Sequence, residues 1–302
     1  MSDQDTSVKS ILFALLANFG IAITKTVAAV ITGSGTMLAE SIHSYADCGN
    51  QGLLFLGLNA SKKEPDSEHP LGYGKEIYFW SFVVAIILFS MGGLFSIYEG
   101  IHKIYSHEEL RSPAVAVIVL SVSLILEAAS LMGCMAQIKK LRHNTDLWTW
   151  VKNSRRSELI VVLGEDIAAL LGLLFALIAV VLSILTGNPV FDAYGSISIG
   201  ILLILISFFI ALKVKSLLIG QSSDDETRNE IQVFLEGRPE IDKILNLITL
   251  QLGPKIMIAV KARMTKVNST NQLINNINTC ESELRKKYST IQWVFFEPDI
   301  KE

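Results

Sequence analysis

Apolar runs long enough to cross a lipid bilayer dominate this chain, and few folds accommodate them. Crossing a hydrocarbon core of ~30 Å takes about 20 apolar residues in a helix. Segments of that length run from about Ser10 to Ile31, Met37 to Ala60, Ile77 to Ile104, Pro113 to Ile138, Leu159 to Thr186 and Phe191 to Leu212. Because lipid offers the backbone no hydrogen-bond partners, each segment has to be a helix, and the expected fold is an all-α bundle of six transmembrane helices over residues 1–219. The first segment continues without an Ala-x-Ala cleavage site, so it reads as a retained helix and not as a signal peptide. With no transit-like segment ahead of it, a bacterial inner membrane is the expected location. No run of Lys or Arg is interleaved with aromatics, so nothing points to nucleic acid as a partner. Cys48, Cys134 and Cys280 form neither a CxxC pair nor a disulfide ladder and read as small buried hydrophobes.

The links between the segments differ in charge. The second and fourth carry Lys62, Lys63, Lys75, Lys139, Lys140, Arg142, Lys152, Arg155 and Arg156; the third offers Lys103 and Arg111 beside Glu108 and Glu109. By the positive-inside rule both termini are expected on the cytoplasmic side. Trp148, Trp150, Arg155 and Arg156 read as an interfacial anchor. Beyond Gly220 the composition turns mixed and water-soluble. An acidic helix start (Asp224, Asp225, Glu226), a strand over Lys243–Leu252, a Gly253-Pro254 turn, a helix over about Thr270–Lys287 and a strand over Ile291–Phe296 give an αββαβ order in residues 220–302. Ile256, Ile258, Val260, Ala262 and Met264 alternate with Met257, Ala259, Lys261 and Arg263, the period of a half-buried strand. So small an α+β domain is expected to dimerise to cover its sheet.

An ionisable group at the bilayer centre costs about 2.5 to 3.5 kcal/mol on insertion scales, so each one calls for a reason. In the second segment Glu40, His43, Asp47 and Asn50 are spaced by three, four and three, which stacks them on one helical face. An imidazole and a carboxylate at i and i+4 suit half of a tetrahedral site for a borderline divalent metal. The fifth segment holds Glu165 and Asp166 near its basic start, followed by Ala168, Ala169 and Gly172, small residues that permit close helix approach. Neighbouring side chains diverge by about 100° around a helix, so one of the two carboxylates is expected to bind and the other to support. Ligands that must be neutral imidazole and ionised carboxylate release protons when metal binds, which points to metal/proton exchange. Glu127, midway along the fourth segment, reads equally as a proton carrier or as an interhelical hydrogen-bonding group. Glu99 lies four residues before Lys103, the spacing of a helical ion pair.

Three motifs carry a family resemblance: Ala39-Glu-Ser-Ile-His43-Ser-Tyr-Ala-Asp47, His69-Pro-Leu-Gly-Tyr-Gly-Lys75, and Glu165-Asp166, with Tyr78-Phe-Trp80 and Tyr98-Glu-Gly100 in the third segment. Together they closely resemble the cation diffusion facilitator family, nearest its branch containing the animal mitochondrial zinc exporter, and the likeness covers nearly the whole chain. The resemblance implies a homodimeric metal/proton antiporter working by alternating access. It places a four-ligand site between the second and fifth spans, here His43, Asp47, Glu165 and Asp166; the positions of Glu40, Asn50 and Glu127 in their segments give these three supporting or proton-relay roles. It further implies a metallochaperone-like C-terminal domain that holds the dimer, no cofactor, and Zn2+ as the transported substrate coupled to H+.

The chain also departs from the family pattern. Many zinc members carry HxxxD in both spans, but four residues before Asp166 stands Val162 and four before Glu165 stands Val161. A set with one His and mostly carboxylates is harder, which keeps Mn2+, Fe2+ and Co2+ open as substrates beside Zn2+. In the loop, Tyr73 stands where some bacterial members have a second His, leaving Asp66 and His69 as an incomplete site. The C-terminal domain contains no His. A membrane hydrolase is the main rival class, but neither HExxH nor GxSxG occurs. A non-transporting scaffold or receptor is the other; it would lose stability but not function on replacement of His43 or Asp47.

Overall fold

A computed structural model describes residues 3–106, 112–142 and 145–301, with only the helical backbone described for residues 3–17. Glu108, Glu109 and Arg111 of the third link lie outside the described residues. Among the described residues six long helices correspond to the six apolar segments: α1 (Asp3–Thr32), α2 (Gly35–Ala60), α3 (Glu76–Ser106), α4 (Pro113–Leu141), α6 (Ser157–Thr186) and α7 (Val190–Ile219). A short α5 (Leu147–Asn153) stands in the fourth link, its first turn capped by Asp146, whose carboxylate accepts from the Thr149 amide at 2.9 Å. Among the described residues four helices, α3, α4, α6 and α7, are long and apolar enough by composition to cross a membrane. Helix α2 matches them in length, but its polar stripe dilutes its apolar content, and α1 contributes the apolar stretch Asn18–Thr32.

The chain packs as two compact units. The first comprises residues up to 56, 80–144 and 158–213. Its outward faces are apolar, as at Phe19, Ile23 and Val27 of α1, Ile118, Val122 and Ile125 of α4, and Leu205, Phe208 and Leu212 of α7. Water does not tolerate so continuous an apolar surface, and lipid does. Inside, α3 and α7 approach backbone to backbone: a Cβ added to Gly100 would lie 2.7 Å from the Ala193 carbonyl oxygen, and one added to Gly200 would lie 2.7 Å from that of Gly93. Small residues give membrane helices this close van der Waals packing, where no hydrophobic drive holds helices together. The middle of α3, Leu88–Leu94, is wound as a π-helix, a feature absent from the apolar pattern of the sequence.

The second unit comprises residues 57–79, 145–157 and 214–302. Helix α8 (Asp225–Glu236) starts on Asp224, whose carboxylate caps the Thr227 amide at 2.9 Å. It leads to β1 (Ile241–Leu252), β2 (Lys255–Met264), α9 (Thr270–Lys287) and β3 (Ile291–Pro298), giving the expected αββαβ order. The sheet runs β1-β2-β3, with β1 and β2 antiparallel and β2 and β3 parallel. The alternation read in β2 is realised: Ile256, Ile258, Val260 and Ala262 face a core with Ile231 and Leu235 of α8, Cys280 and Leu284 of α9, and Ile291 and Val294 of β3. On the other sheet face Ile248 and Phe295 are exposed beside Asn246 and Glu297. The loop before α3 packs on the β1–β2 turn. There the Gly253 amide donates to the Tyr78 hydroxyl at 3.0 Å, and Gly74 and Gly253 lie so close that a Cβ on Gly74 would overlap the Leu252 carbonyl and one on Gly253 the Gly74 carbonyl. Gly253 has φ +62°, so this turn also needs glycine for its backbone.

Candidate functional site

Helix α2 brings its polar stripe inward. Glu40, His43 and Asn50 are buried, and the Asp47 side chain is 16% exposed. The i,i+4 spacing sets His43 Nδ1 3.5 Å from Asp47 Oδ1. One turn on, Asn50 Nδ2 donates to Glu165 Oε1 of α6 at 2.6 Å. The neighbouring Asp166 turns elsewhere and accepts from Ser130 Oγ of α4 at 3.3 Å. Divergence around the helix axis thus sends one carboxylate toward α2 and the other toward α4.

Between these helices lies a small cavity of about 30 Å³, lined by Asn18 of α1, Asp47 of α2, Glu127 and Ser130 of α4, and Glu165 and Asp166 of α6. A water needs about 10 to 15 Å³ on this scale, so the space suits a single ion or a few waters. Four carboxylates therefore face one small volume. Its surroundings hold buried polar atoms without hydrogen-bond partners: Glu40 Oε1, both ring nitrogens of His43, Asp47 Oδ1, Asn50 Oδ1 and Asp166 Oδ2. Leaving such atoms unsatisfied costs about 1 to 3 kcal/mol each, more when charged, a cost natural cores avoid. The set is one imidazole with carboxylate and amide oxygens, a chemistry that suits a divalent cation. Among the described residues no three His, Cys, Asp or Glu side chains converge tightly enough to hold a metal ion in this arrangement. Asp47, Glu165 and Asp166 share the cavity with Glu127, while His43, 3.5 Å from Asp47, does not line it.

Other expected pairings fall out differently. Lys103 does not pair with Glu99: its ammonium donates to Asp192 Oδ2 at 2.9 Å and to the Gly33 carbonyl. Asp192 Oδ1 accepts from Ser34 Oγ at 2.7 Å and Thr36 Oγ1 at 2.6 Å, and Oδ2 also accepts from the Gly35 amide at 2.7 Å. Sequence reasoning passed over Asp192, although an acid two residues into an apolar helix was the available signal. Lys25 was missed as well; it is fully buried and donates to Glu40 Oε2 at 3.2 Å and Ser44 Oγ at 2.8 Å. Its position in the middle of the first apolar segment could have flagged it by the rule applied to Glu40.

In the loop, Asp66 is spent on its own turn. It accepts from the Glu68 amide at 3.0 Å, the His69 amide at 2.7 Å and the Tyr73 hydroxyl at 2.6 Å. The Tyr73 hydroxyl, with the His69 amide next, holds the Asp66 carboxyl below its usual range. His69 lies against the Tyr73 ring, centroids 4.3 Å apart, with its Nδ1 3.5 Å from Asp66 Oδ1. Arg155 donates to the Ser222 carbonyl at 2.7 Å and the Ser223 carbonyl at 3.4 Å. Of the cysteines, Cys134 and Cys280 are buried and Cys48 is partly so.

Comparison with known proteins bears on the same helices. Residues 11–219 match the cation efflux transmembrane domain. The chain is 30% identical over 256 residues to Metal tolerance protein C4 of Arabidopsis thaliana, covering 84% of this chain and 56% of that protein. It is 32% identical over 247 residues to the mitochondrial proton-coupled zinc antiporter SLC30A9 of Mus musculus, covering 81% and 44% respectively. Magnetosome protein MamB of Magnetospira sp. (strain QH-2) is 27% identical over 192 residues, covering 64% of this chain and 60% of that protein. The chain thus spans about half the length of the two curated relatives that it matches over most of its own length.

Proposed function

Because this multi-pass membrane chain belongs to the cation efflux family, we propose that it exports a divalent transition metal, Zn2+ first, in exchange for protons. The observation that carries the reading is the concentration of unpartnered buried polar atoms on α2 and α6 around a cavity walled by Asp47, Glu127, Glu165 and Asp166. Acids buried in a helical bundle mark an ion path more readily than a scaffold, because a scaffold gains nothing from carboxylates left without partners.

In this reading His43 and Asp47 supply two donors, and Glu165 and Asp166 supply the rest. Asp166 offers its unpartnered Oδ2, and Glu165 Oε1 exchanges its Asn50 partner for the ion. The arrangement seen here is then one in which the donors are parted, and drawing α2 and α6 together assembles them. Each donor must give up its proton to bind, so the ion enters as protons leave and the two fluxes are tied by the same atoms. Glu127, facing the cavity without a hydrogen bond to α2 or α6 among the described contacts, is placed to hold a proton in that exchange. The predominance of oxygen donors leaves Mn2+, Fe2+ and Co2+ as competing substrates. The chain functions as a homodimer through the exposed sheet face carrying Ile248 and Phe295, with both termini cytoplasmic in a bacterial inner membrane.

The test is metal flux into proteoliposomes under an imposed proton gradient, comparing Zn2+, Mn2+, Fe2+ and Co2+. Gradient-driven uptake of one metal, abolished by Asp47→Ala, supports exchange and names the substrate. Absence of flux for every metal in folded protein overturns it.

A further inference from the structure

Lys25 of α1 is fully buried in the helical unit, and the exchange mechanism above does not use it. Its ammonium lies 3.2 Å from Glu40 Oε2 and 2.8 Å from Ser44 Oγ, and both Lys25 and Glu40 are 0% exposed. Glu40 sits on the same face of α2 as His43 and Asp47, three and seven residues before them, so it belongs geometrically to the donor stripe. Its second oxygen, Oε1, has no hydrogen-bond partner and points at α6, where a Cβ on Gly172 would stand 2.7 Å away. Glycine at 172 is what leaves room for that oxygen. Ser44, the other anchor of the ammonium, lines the cavity together with Asp47. Glu40 therefore has the position, the free oxygen and the helix face of a metal ligand, and a resident cation already occupies it.

We propose that Lys25 is a positioning residue, a tethered counter-cation that keeps Glu40 out of metal coordination and so prevents the site from binding its substrate too tightly to release. A transported ion has to leave as readily as it enters, and a fifth donor with a full negative charge on the stripe would deepen the well. The Lys25 ammonium acts against this in two ways. It neutralises Glu40, and it sets a positive charge against Ser44, the residue next to His43 and a member of the cavity wall, where it repels a divalent ion. The inference rests on the metal-site reading of His43, Asp47, Glu165 and Asp166.

The test measures Zn2+ affinity by titration of the full-length, detergent-solubilised protein, with Zn2+ flux in proteoliposomes alongside. Lys25→Met is expected to tighten Zn2+ binding at least tenfold while slowing flux. Lys25→Arg, which keeps the charge, should stay within about threefold of wild type, and Lys25→Met/Glu40→Gln should return to near wild-type affinity. A Lys25→Met affinity unchanged or weakened in folded protein overturns the proposal. Should Lys25→Met fail to fold, Glu40→Gln alone decides: a shift below about threefold supports a Glu40 held aside, and a loss as large as that of Asp47→Ala shows it to be a ligand and overturns the idea. Wild-type Zn2+ binding that survives Asp47→Ala undiminished fails the underlying site reading instead, and this inference with it.

Discussion

Two clusters of buried charge lie within the same helical unit and are built on opposite principles. Around Asp192 every carboxylate oxygen has two donors: Ser34 and Thr36 on one, the Gly35 amide and Lys103 on the other. Around Asp47, Glu165 and Asp166 the set is incomplete: Asp47 Oδ1 and Asp166 Oδ2 have no donor, and His43 has no hydrogen bond on either nitrogen. Low dielectric strengthens a satisfied network and penalises an open one, so the same burial that locks the first cluster leaves the second under-coordinated. Completeness of partners, more than burial or charge, separates a structural ionic cluster from one poised for a ligand.

The comparison breaks most visibly at Asp192. Asp192→Ala strands Lys103 and three donors, and is expected to cost about 3 to 5 kcal/mol; thermal unfolding in detergent should show the loss, with Zn2+ affinity of the remaining folded protein intact. Asp47→Ala should do the reverse, lowering Zn2+ affinity about 100-fold or more, equivalent to about 2.7 kcal/mol, with an unfolding midpoint equal to or above wild type. Equal stability losses at the two positions would erase the distinction. Asn50→Ala, which removes the amide that orients Glu165, should weaken Zn2+ binding about tenfold, read by the same titration.

The smallest effect belongs to the loop. The Asp66 carboxyl is depressed chiefly by Tyr73, so its contribution to stability is fully present above its unfolded value near pH 4 and is lost as the pH falls through the depressed folded value. Tyr73→Phe should therefore lower stability by a constant, small amount above about pH 4, and the gap from wild type should close below it. Denaturation curves across pH 3 to 6 check this.

The same contrast governs how much the sequence could tell. Apolar length, the Glu40-His43-Asp47-Asn50 spacing and the two-residue alternation of Ile256–Met264 are local patterns, and the helices, the inward stripe and the αββαβ order follow from them. What escaped was pairing at a distance. Lys103 finds Asp192 across 89 residues, not the Glu99 one turn away, because burial at the helix ends outweighs a weak solvent-type pair. Asn50 reaches Glu165 across 115 residues, and Arg155 is drawn to the carbonyls of Ser222 and Ser223 by bare acceptors no periodicity reveals. Lys25 was hidden for another reason: one cation in a long apolar run scarcely disturbs a hydropathy reading.

The π-wound stretch Leu88–Leu94 bears on how α3 tolerates change in length. A π-turn accommodates one residue more than an α-turn over the same rise. Removing a single residue within it would restore regular winding and leave Gly93, Gly100 and their contacts with α7 on the same face, whereas a deletion elsewhere in α3 turns everything beyond it by about 100°. The stretch is thus where this helix can lose a residue without changing what it faces.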